Sequence, residues 1–221
     1  MIEIRDLALG ASDGRLALDG LDLTVPRGGT LVVTGSSGSG KSRLLKVMAG
    51  MERPWRGRIQ IDGREVWPEG GVLALTGHVS LGFAFASGGL LSNLSLRENI
   101  ALPLTFQGTT AVELARRTEQ ALERVNLQAV GGLRPHAVSA SARKLANLAR
   151  VLALEPELIL LDDPLEGLDA ADRAIAQELV RGWGAERSCT LVVAAEEADA
   201  LSDLEAASLQ LSPSLISVES P

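Results

Sequence analysis

The chain has 221 residues, of which 46% are apolar and 22% are charged, a globular composition that excludes a disordered protein. Its 21 basic and 28 acidic side chains give a net charge of −7, which argues against nucleic-acid binding through a broad basic surface. The single cysteine, Cys189, excludes an intrachain disulfide and fits a reducing compartment. The length predicts one domain over residues 1–221, with a subdomain.

The N-terminal sequence predicts β structure. Met1–Leu7 and Leu16–Val25 alternate apolar and polar residues, as half-buried strands do. Thr30–Thr34 is an apolar run that ends at a glycine cluster, and it predicts a buried strand. Farther along, Arg58–Ile61 precedes the turn signal Asp62-Gly63, which predicts a hairpin.

The rest of the chain alternates helices with fully apolar strands. Helical spacing, caps and stop signals predict helices over 42–51, 110–125, 141–154 and 170–182. Short apolar runs predict buried strands over 158–161 and 190–193. This alternation predicts an α/β fold with a mostly parallel sheet that helices cover on both faces.

One segment without charged residues, Gly70–Leu96, is long enough to span a bilayer. It contains several glycines, four serines, a histidine and an asparagine, and it lacks the steady Leu, Ile and Val density of a membrane helix. A strand followed by a loop is therefore the favoured interpretation, and any membrane role is expected to come through a partner.

The glycine cluster after the buried strand matches the phosphate-binding pattern G-x-x-x-x-G-K-[ST] in full, and a helix is predicted directly behind it. In such a loop, backbone N–H groups and the positive end of the helix dipole face a phosphate chain, the lysine contacts the β- and γ-phosphates, and the last hydroxyl ligates Mg²⁺. The predicted nucleotide-binding residues are Gly35, Ser36, Ser37, Gly38, Ser39, Gly40, Lys41 and Ser42.

A second magnesium ligand is predicted at Asp162. This carboxylate follows the apolar strand Leu158–Leu161, and ligands bind at the carboxyl ends of strands in open α/β sheets. A turn or helix-cap aspartate before Pro164 is the alternative. The phosphate loop favours the metal role, with Ser42 and Asp162 as the two protein ligands.

With these motifs, the chain resembles the nucleotide-binding subunit of an ABC transporter over nearly its whole length. The resemblance is carried by the phosphate loop and Leu158–Pro164, and by Gly167-Leu168-Asp169 and Leu90–Leu104. It implies a RecA-like P-loop NTPase core, a small N-terminal antiparallel β subdomain, and an inserted helical subdomain near 87–155. Leu90–Leu104 is most similar to subunits of bacterial lipid-trafficking and lipoprotein-release systems.

The resemblance also implies the cofactors and partners. ATP and Mg²⁺ would be bound between two such subunits, as a homodimer or a heterodimer. An integral membrane transporter subunit would be the partner, which places the chain as a peripheral protein on the cytoplasmic face of the inner membrane. Ser139 is the surviving serine of the family's signature loop, so it is implied to contact nucleotide.

Several family positions hold other residues here. The glutamine that senses magnesium is Ala86, and the switch histidine is Ala195. The signature loop reads V-S-A-S-A over 138–142 instead of L-S-G-G-Q. The catalytic glutamate that polarises the attacking water is Asp163, one methylene shorter. No aromatic residue near Leu9–Ser12 replaces the one that stacks on adenine.

These replacements predict nucleotide binding with slow or lost hydrolysis. General-base help is worth about 10²–10⁴-fold, and a misplacement near 1 Å can cost on the order of 10²-fold. Asp163 is thus a weakened catalytic candidate. Slow turnover supported by Asp163 remains an alternative, and so does a pseudo-ATPase that acts as a nucleotide-gated scaffold or regulator.

Two further interpretations depend on residues outside the motifs. A small-molecule P-loop kinase would need lid arginines, for which Arg116, Arg117 and Arg124 are the candidates, although their spacing is that of a helix surface. Trp55 and Trp67 could approach adenine, but both follow the phosphate-loop helix and packing is the favoured role.

Overall fold

Two β-sheets form the framework of the chain, for which the computed structural model describes residues 1–10, 16–68, 79–87, 89–186, 189–197 and 201–211. The first sheet is antiparallel, with strand order β2-β1-β4-β5. Its strands are β1 (Ile2–Gly10), β2 (Leu16–Val25), β4 (Arg56–Ile61) and β5 (Arg64–Glu65). The hairpin predicted at Asp62-Gly63 is confirmed, since β4 and β5 pair across it.

The second sheet is parallel, with strand order β6-β7-β8-β3-β9. Its strands are β3 (Thr30–Thr34), β6 (Leu81–Ala84), β7 (Leu158–Asp162), β8 (Thr190–Ala195) and β9 (Ala207–Gln210). The central strands β3, β7 and β8 are almost wholly buried, as their apolar sequences require. The edge strand β9 is mostly exposed and lacks an apolar run, which is why the sequence did not predict it.

The helices are α1 (Lys41–Met48), α2 (Leu96–Phe106), α3 (Ala111–Arg124), α4 (Ala140–Leu154) and α5 (Ala170–Ala185). The last three of the four predicted helices are confirmed with shifted ends, and the first ends at Met48, earlier than expected. Helix α5 continues through Gly182 to Ala185, so this glycine does not end the helix.

Helix α2 was not predicted, although its start carries a clear signal. Ser95 and Glu98 form a capping box, in which the Ser95 hydroxyl accepts a hydrogen bond from the Glu98 N–H and the Glu98 carboxylate accepts one from the Ser95 N–H. Pro103 inside the helix obscures the pattern. Helices α2, α3 and α4 lie between β6 and β7 in the chain, which agrees with the inserted helical part of the expected fold class.

Buried side chains form two apolar clusters, one on each face of the parallel sheet. One cluster contains the antiparallel sheet and α1, and the other contains the inserted helices and α5. The bounds 87–155 for the helical subdomain remain a prediction. Part of the Gly70–Leu96 segment lies outside the described residues, and no described helix has both the length and the apolar composition needed to cross a bilayer.

Candidate functional site

The glycine-rich loop joins the carboxyl end of β3 to the start of α1. Gly35, Gly38 and Gly40 adopt φ angles of 152°, 79° and 98°, a region that glycine enters without a steric penalty. Gly40 caps the helix with its carbonyl, which accepts from the Leu44 N–H at 2.9 Å. The glycines therefore turn the backbone sharply so that α1 begins at Lys41.

We expect Gly35 and Gly38 to differ sharply when replaced by alanine. A Cβ at Gly35 would overlap the Leu211 carbonyl oxygen and lie 2.7 Å from the Ser39 hydroxyl oxygen, whereas one at Gly38 would meet nothing within 4 Å. Gly35→Ala should lower the free energy of unfolding by about 2–5 kcal/mol, because overlap adds to backbone strain. Gly38→Ala should cost about 1–2 kcal/mol. Denaturant titration measures both, and equal losses would contradict the close approach at Gly35.

Lys41 lies buried beneath the loop, with 5% of its surface exposed. Its Nζ donates to the carbonyl oxygens of Gly35 at 2.6 Å and Ser36 at 3.2 Å. The buried Ser39 hydroxyl has no hydrogen-bond partner in the part of the chain that the structure describes. A fixed cation and an unsatisfied hydroxyl in one loop fit an anionic ligand with several acceptor oxygens.

Ser42 and Asp162 meet at the carboxyl edge of the parallel sheet. The Ser42 hydroxyl donates to Asp162 Oδ1 at 2.8 Å, although the two residues lie 120 positions apart. They come together because β3 and β7 end at the same edge of the sheet, on either side of β8. Asp162 is the last residue of β7, and Ser42 lies in the first turn of α1, which follows β3 and its loop. Hydroxyl and carboxylate oxygens are the ligands that Mg²⁺ prefers, so this pair fits the predicted metal site.

A cleft of about 710 Å³ opens above the loop. The predicted residues that line it are Ser37, Gly38, Ser39, Gly40, Lys41 and Ser42. Its other walls include Gly10 and Ala17, the basic residues Arg43, Lys46 and Arg53, and the acidic residues Glu52, Asp163, Glu166 and Glu196. The volume lies within the range of about 300–1,000 Å³ that is typical of small-molecule sites.

Asp163 lines this cleft from the turn after β7. Its backbone has a φ of 44°, unusual for a residue with a side chain, and its N–H donates to the Ala194 carbonyl at 2.9 Å. Burial raises the pKa of the Asp163 carboxyl, although nearby Lys41 opposes the shift. A carboxyl with a raised pKa is a plausible proton acceptor in chemical terms, and its short side chain limits its reach.

Lys144 holds the Asp163 turn in place, a role that sequence reasoning missed. Its Nζ donates to the carbonyl oxygens of Asp163 and Glu166, both at 2.7 Å. Burial lowers the pKa of this lysine, while the neighbouring carboxylates oppose the shift. Helix α4 is thereby tied directly to the turn that carries the catalytic candidate. No sequence pattern signals this contact, because it joins separate elements.

The other candidate positions lie around the cleft or away from it. Ala195 ends β8 and shares a second cavity with Asp163, and Ala86 lies in a third cavity with Lys144. Neither alanine can donate a hydrogen bond from its side chain. Ser139 is not among the residues that line the phosphate cleft, and its hydroxyl caps α4 by accepting from the Ala142 N–H at 3.0 Å.

The arginines of the kinase hypothesis do not reach the phosphate loop. Arg116 and Arg117 both form hydrogen bonds with Glu113 on their own helix, and Arg124 contacts Glu178 on α5. Arg117 and Arg124 line a separate cavity with Leu152 and Trp183 instead of the phosphate cleft. These contacts argue against a lid that closes over a phosphoryl group.

The sequence and the fold both have clear relatives. The profile of the ABC transporter family matches residues 18–166. The methionine import ATP-binding protein MetN of Caulobacter vibrioides is 35% identical over 202 residues, which are 90% of this chain and 60% of that protein. The lipoprotein-releasing system ATP-binding protein LolD of Chromohalobacter salexigens is 33% identical over 177 residues, 80% of this chain and 75% of that one.

A solved structure extends the likeness to the fold. The dimeric ATP-binding cassette MJ0796, in a post-hydrolysis state bound to ADP and Pi, has a TM-score of 0.83 with this chain at 24% identity. The match covers 96% of this chain and 94% of that one. The predicted fold class, an α/β P-loop architecture with an additional antiparallel sheet, is confirmed.

Proposed function

This chain belongs to the ABC transporter family as one of its nucleotide-binding subunits, and we propose that it binds Mg-ATP firmly but hydrolyses it slowly or not at all. The observation that carries the proposal is that the groups expected to hold phosphate and metal converge at the phosphate loop, where Lys41 and Ser42 line the cleft and Asp162 accepts a hydrogen bond from Ser42. The positions expected to assist hydrolysis hold a shortened carboxylate and two alanines.

The binding half of the proposal rests on preorganised groups. Lys41 is held by two loop carbonyls and can turn its donors to phosphate oxygens with little loss of side-chain freedom. Ser42 and Asp162 already lie together as an oxygen pair for Mg²⁺. When bound, the metal would neutralise charge on the phosphate oxygens.

The proposal that hydrolysis is slow rests on Asp163, Ala86 and Ala195, which lack the side-chain length or the polar groups that the family has at these positions. A general base must lie within about 2.6–3.2 Å of the proton that it accepts. Asp163 is one methylene short of the family glutamate, and its turn is fixed by the Ala194 and Lys144 contacts. The backbone therefore has little freedom to move the carboxylate forward. Ala195 offers no side-chain donor to stabilise the γ-phosphate.

Family membership supports a proposal about the partners and location. We propose that an integral membrane transporter subunit binds this chain on the cytoplasmic face of the inner membrane, and that two cassettes pair as a homodimer or heterodimer around the nucleotide. The similarity to LolD supports a lipid or lipoprotein cargo. The similarity to a methionine import protein supports small-molecule import equally well, and this chain spans only 60% of that protein's length.

Metal dependence tests the proposed binding site. We expect Mg²⁺ to increase the affinity of the wild-type chain for ATP, and Asp162→Asn to remove most of that increase because one anionic ligand is lost. Asp169→Asn is the matched control, since Asp169 caps α5 and accepts from the Asp172 N–H instead of facing the cleft. Equilibrium titration with and without Mg²⁺ measures this. An Asp162→Asn protein with normal metal dependence would refute the assignment.

The alternative function is a pseudo-ATPase scaffold that acts without transport. It is favoured by the same replacements, together with the altered signature loop at 138–142. Affinity purification from membranes distinguishes the two functions. Recovery of this chain with an integral membrane subunit supports the transporter, whereas recovery without one, under conditions that preserve nucleotide-dependent pairing, supports the scaffold.

A further inference from the structure

Trp55 is a large aromatic side chain that the fold leaves in contact with solvent. Its side chain lies just before β4, and 54% of its surface is exposed. The backbone at this position is fixed, because the Trp55 N–H donates to the Ala8 carbonyl on β1 at 2.9 Å. A largely exposed indole on a fixed backbone offers a stacking surface.

The Trp55 indole fits against the neighbouring strand β1 because Gly10 has no side chain. A Cβ at Gly10 would overlap the Trp55 atoms Cζ2 and Cε2 and lie 2.6 Å from Cη2. The ring therefore occupies the space that any other residue at position 10 would fill. Gly10 and Trp55 form a complementary pair across the β1–β4 ladder, and the glycine is required by this close approach rather than by its φ angle.

Gly10 connects this pair to the phosphate cleft. Gly10 lines the cleft together with the phosphate loop, and its carbonyl accepts a hydrogen bond from Arg43 on α1. Glu52 forms ion pairs with Arg43 at 3.0 Å and with Lys46 at 3.5 Å, which fixes one wall of the same cleft. The indole therefore packs against Gly10, a residue of the cleft whose floor is suited to phosphates.

We propose that Trp55 stacks on the base of the bound nucleotide, as a binding residue supplied by the start of β4. The proposal rests on the proposed function, because it assumes that phosphates occupy the loop at Lys41. A purine has a broad apolar face that gains from burial against an aromatic ring, while its phosphates are held by charge. Trp55 would therefore add affinity for the base that the phosphate loop alone cannot provide.

The other aromatic side chains are less suited to this role. Trp67 is partly buried, its Nε1 donates to the Val47 carbonyl at 3.2 Å, and Arg53 lies over its ring. Phe106 is exposed but ends α2 in the inserted helical part. Phe83 and Phe85 pack against each other with ring centroids 4.4 Å apart. Among the described aromatic residues, Trp55 combines a largely exposed side chain with packing against the cleft residue Gly10.

Two ligands that share a phosphate chain test the proposal. The affinities of Mg-ATP and Mg-tripolyphosphate are measured by calorimetry on the full chain and on Trp55→Ala. We expect Trp55→Ala to weaken Mg-ATP binding by about tenfold or more, the usual range for loss of base stacking, and to leave tripolyphosphate binding unchanged within about twofold. Trp55→Phe should retain most of the ATP affinity, because a phenyl ring also offers a stacking face.

Fluorescence gives a readout that a merely structural role would not change. Mg-ATP should quench the indole emission of the wild-type chain and of Trp67→Phe, and this quenching should be absent in Trp55→Phe. Gly10→Ala, which displaces the indole without changing it, should repeat the selective loss of ATP affinity. Mg-tripolyphosphate should leave the emission unchanged.

The outcomes separate this inference from the proposed function. Wild-type protein that binds neither ligand would overturn the proposed nucleotide binding itself. Normal Mg-ATP affinity in Trp55→Ala would overturn only the stacking role. Equal loss of affinity for Mg-ATP and Mg-tripolyphosphate in Trp55→Ala would also overturn the stacking role, because it would show that the indole supports the cleft wall. The same conclusion would follow if Trp55→Phe bound Mg-ATP as weakly as Trp55→Ala while Gly10→Ala bound it like the wild type.

Discussion

Replacing Lys41 with alanine should lower the affinity for Mg-ATP by about 10²-fold or more. The Nζ group is buried at the base of the loop, where it can donate charge-assisted hydrogen bonds to two phosphate oxygens. Each such bond contributes about 1.5–3 kcal/mol, so the loss of two exceeds the contribution of any other side chain in the cleft. Calorimetric titration with Mg-ATP measures the change.

Lys46→Ala is the matched control for this loss. Lys46 lies on the same helix and lines the same cleft, but its Nζ is more exposed and pairs with Glu52 at 3.5 Å. We expect its replacement to change the affinity by less than about fivefold, as is usual for a solvent-exposed ion-pairing lysine. Thermal denaturation of both variants confirms that the fold survives. Equal effects of the two replacements would show that the cleft binds nucleotide through general positive charge.

Lengthening Asp163 to glutamate should raise the rate of ATP hydrolysis by at least about tenfold. The extra methylene moves the carboxylate forward by roughly one C–C bond, about 1.5 Å, and misplacements of this size cost on the order of 10²-fold. The Asp163 turn already lines the cleft and is held by Lys144, so the added reach is directed by a fixed backbone. Steady-state phosphate release under saturating Mg-ATP measures the gain.

Asp163→Gln distinguishes the effect of side-chain length from the ability to accept a proton. Glutamine has the length of glutamate but cannot accept a proton at neutral pH, so this variant should show no gain. Adding Ala195→His to Asp163→Glu should raise the rate further, because the imidazole supplies a donor to the γ-phosphate. A glutamate variant as slow as the wild-type chain, with unchanged ATP affinity, would show that the missing activity has another origin.

Most of the parallel sheet could be predicted because its strands are short apolar runs. Nearly complete burial goes with a mostly apolar sequence in Thr30–Thr34, Leu158–Leu161 and Thr190–Val193. The edge strand β9 and helix α2 escaped prediction for opposite reasons. Exposure removes the apolar pattern of β9, and Pro103 interrupts that of α2, although the Ser95–Glu98 capping box marks its start.

Some contacts of the candidate site could be predicted from sequence and others could not. Ser42 and Asp162 could be placed together from sequence, because both lie at the carboxyl edge of a parallel sheet whose strands were predicted. The anchoring of Asp163 by Lys144 could not, since helix α4 and the turn meet only through tertiary packing. Packing was the favoured role of Trp55 from sequence, and its ring does pack against Gly10, although 54% of the residue stays exposed.

The most direct test is to measure nucleotide binding and phosphate release on the same wild-type preparation, purified with its membrane partner. We expect saturable Mg-ATP binding together with phosphate release far below about 1 s⁻¹, the lower end of typical enzyme turnover. Lys41→Ala should weaken that binding by about 10²-fold or more. Release at ordinary enzyme rates that disappears in Lys41→Ala would contradict the proposal, because it would show that Asp163 and its surroundings support full hydrolysis.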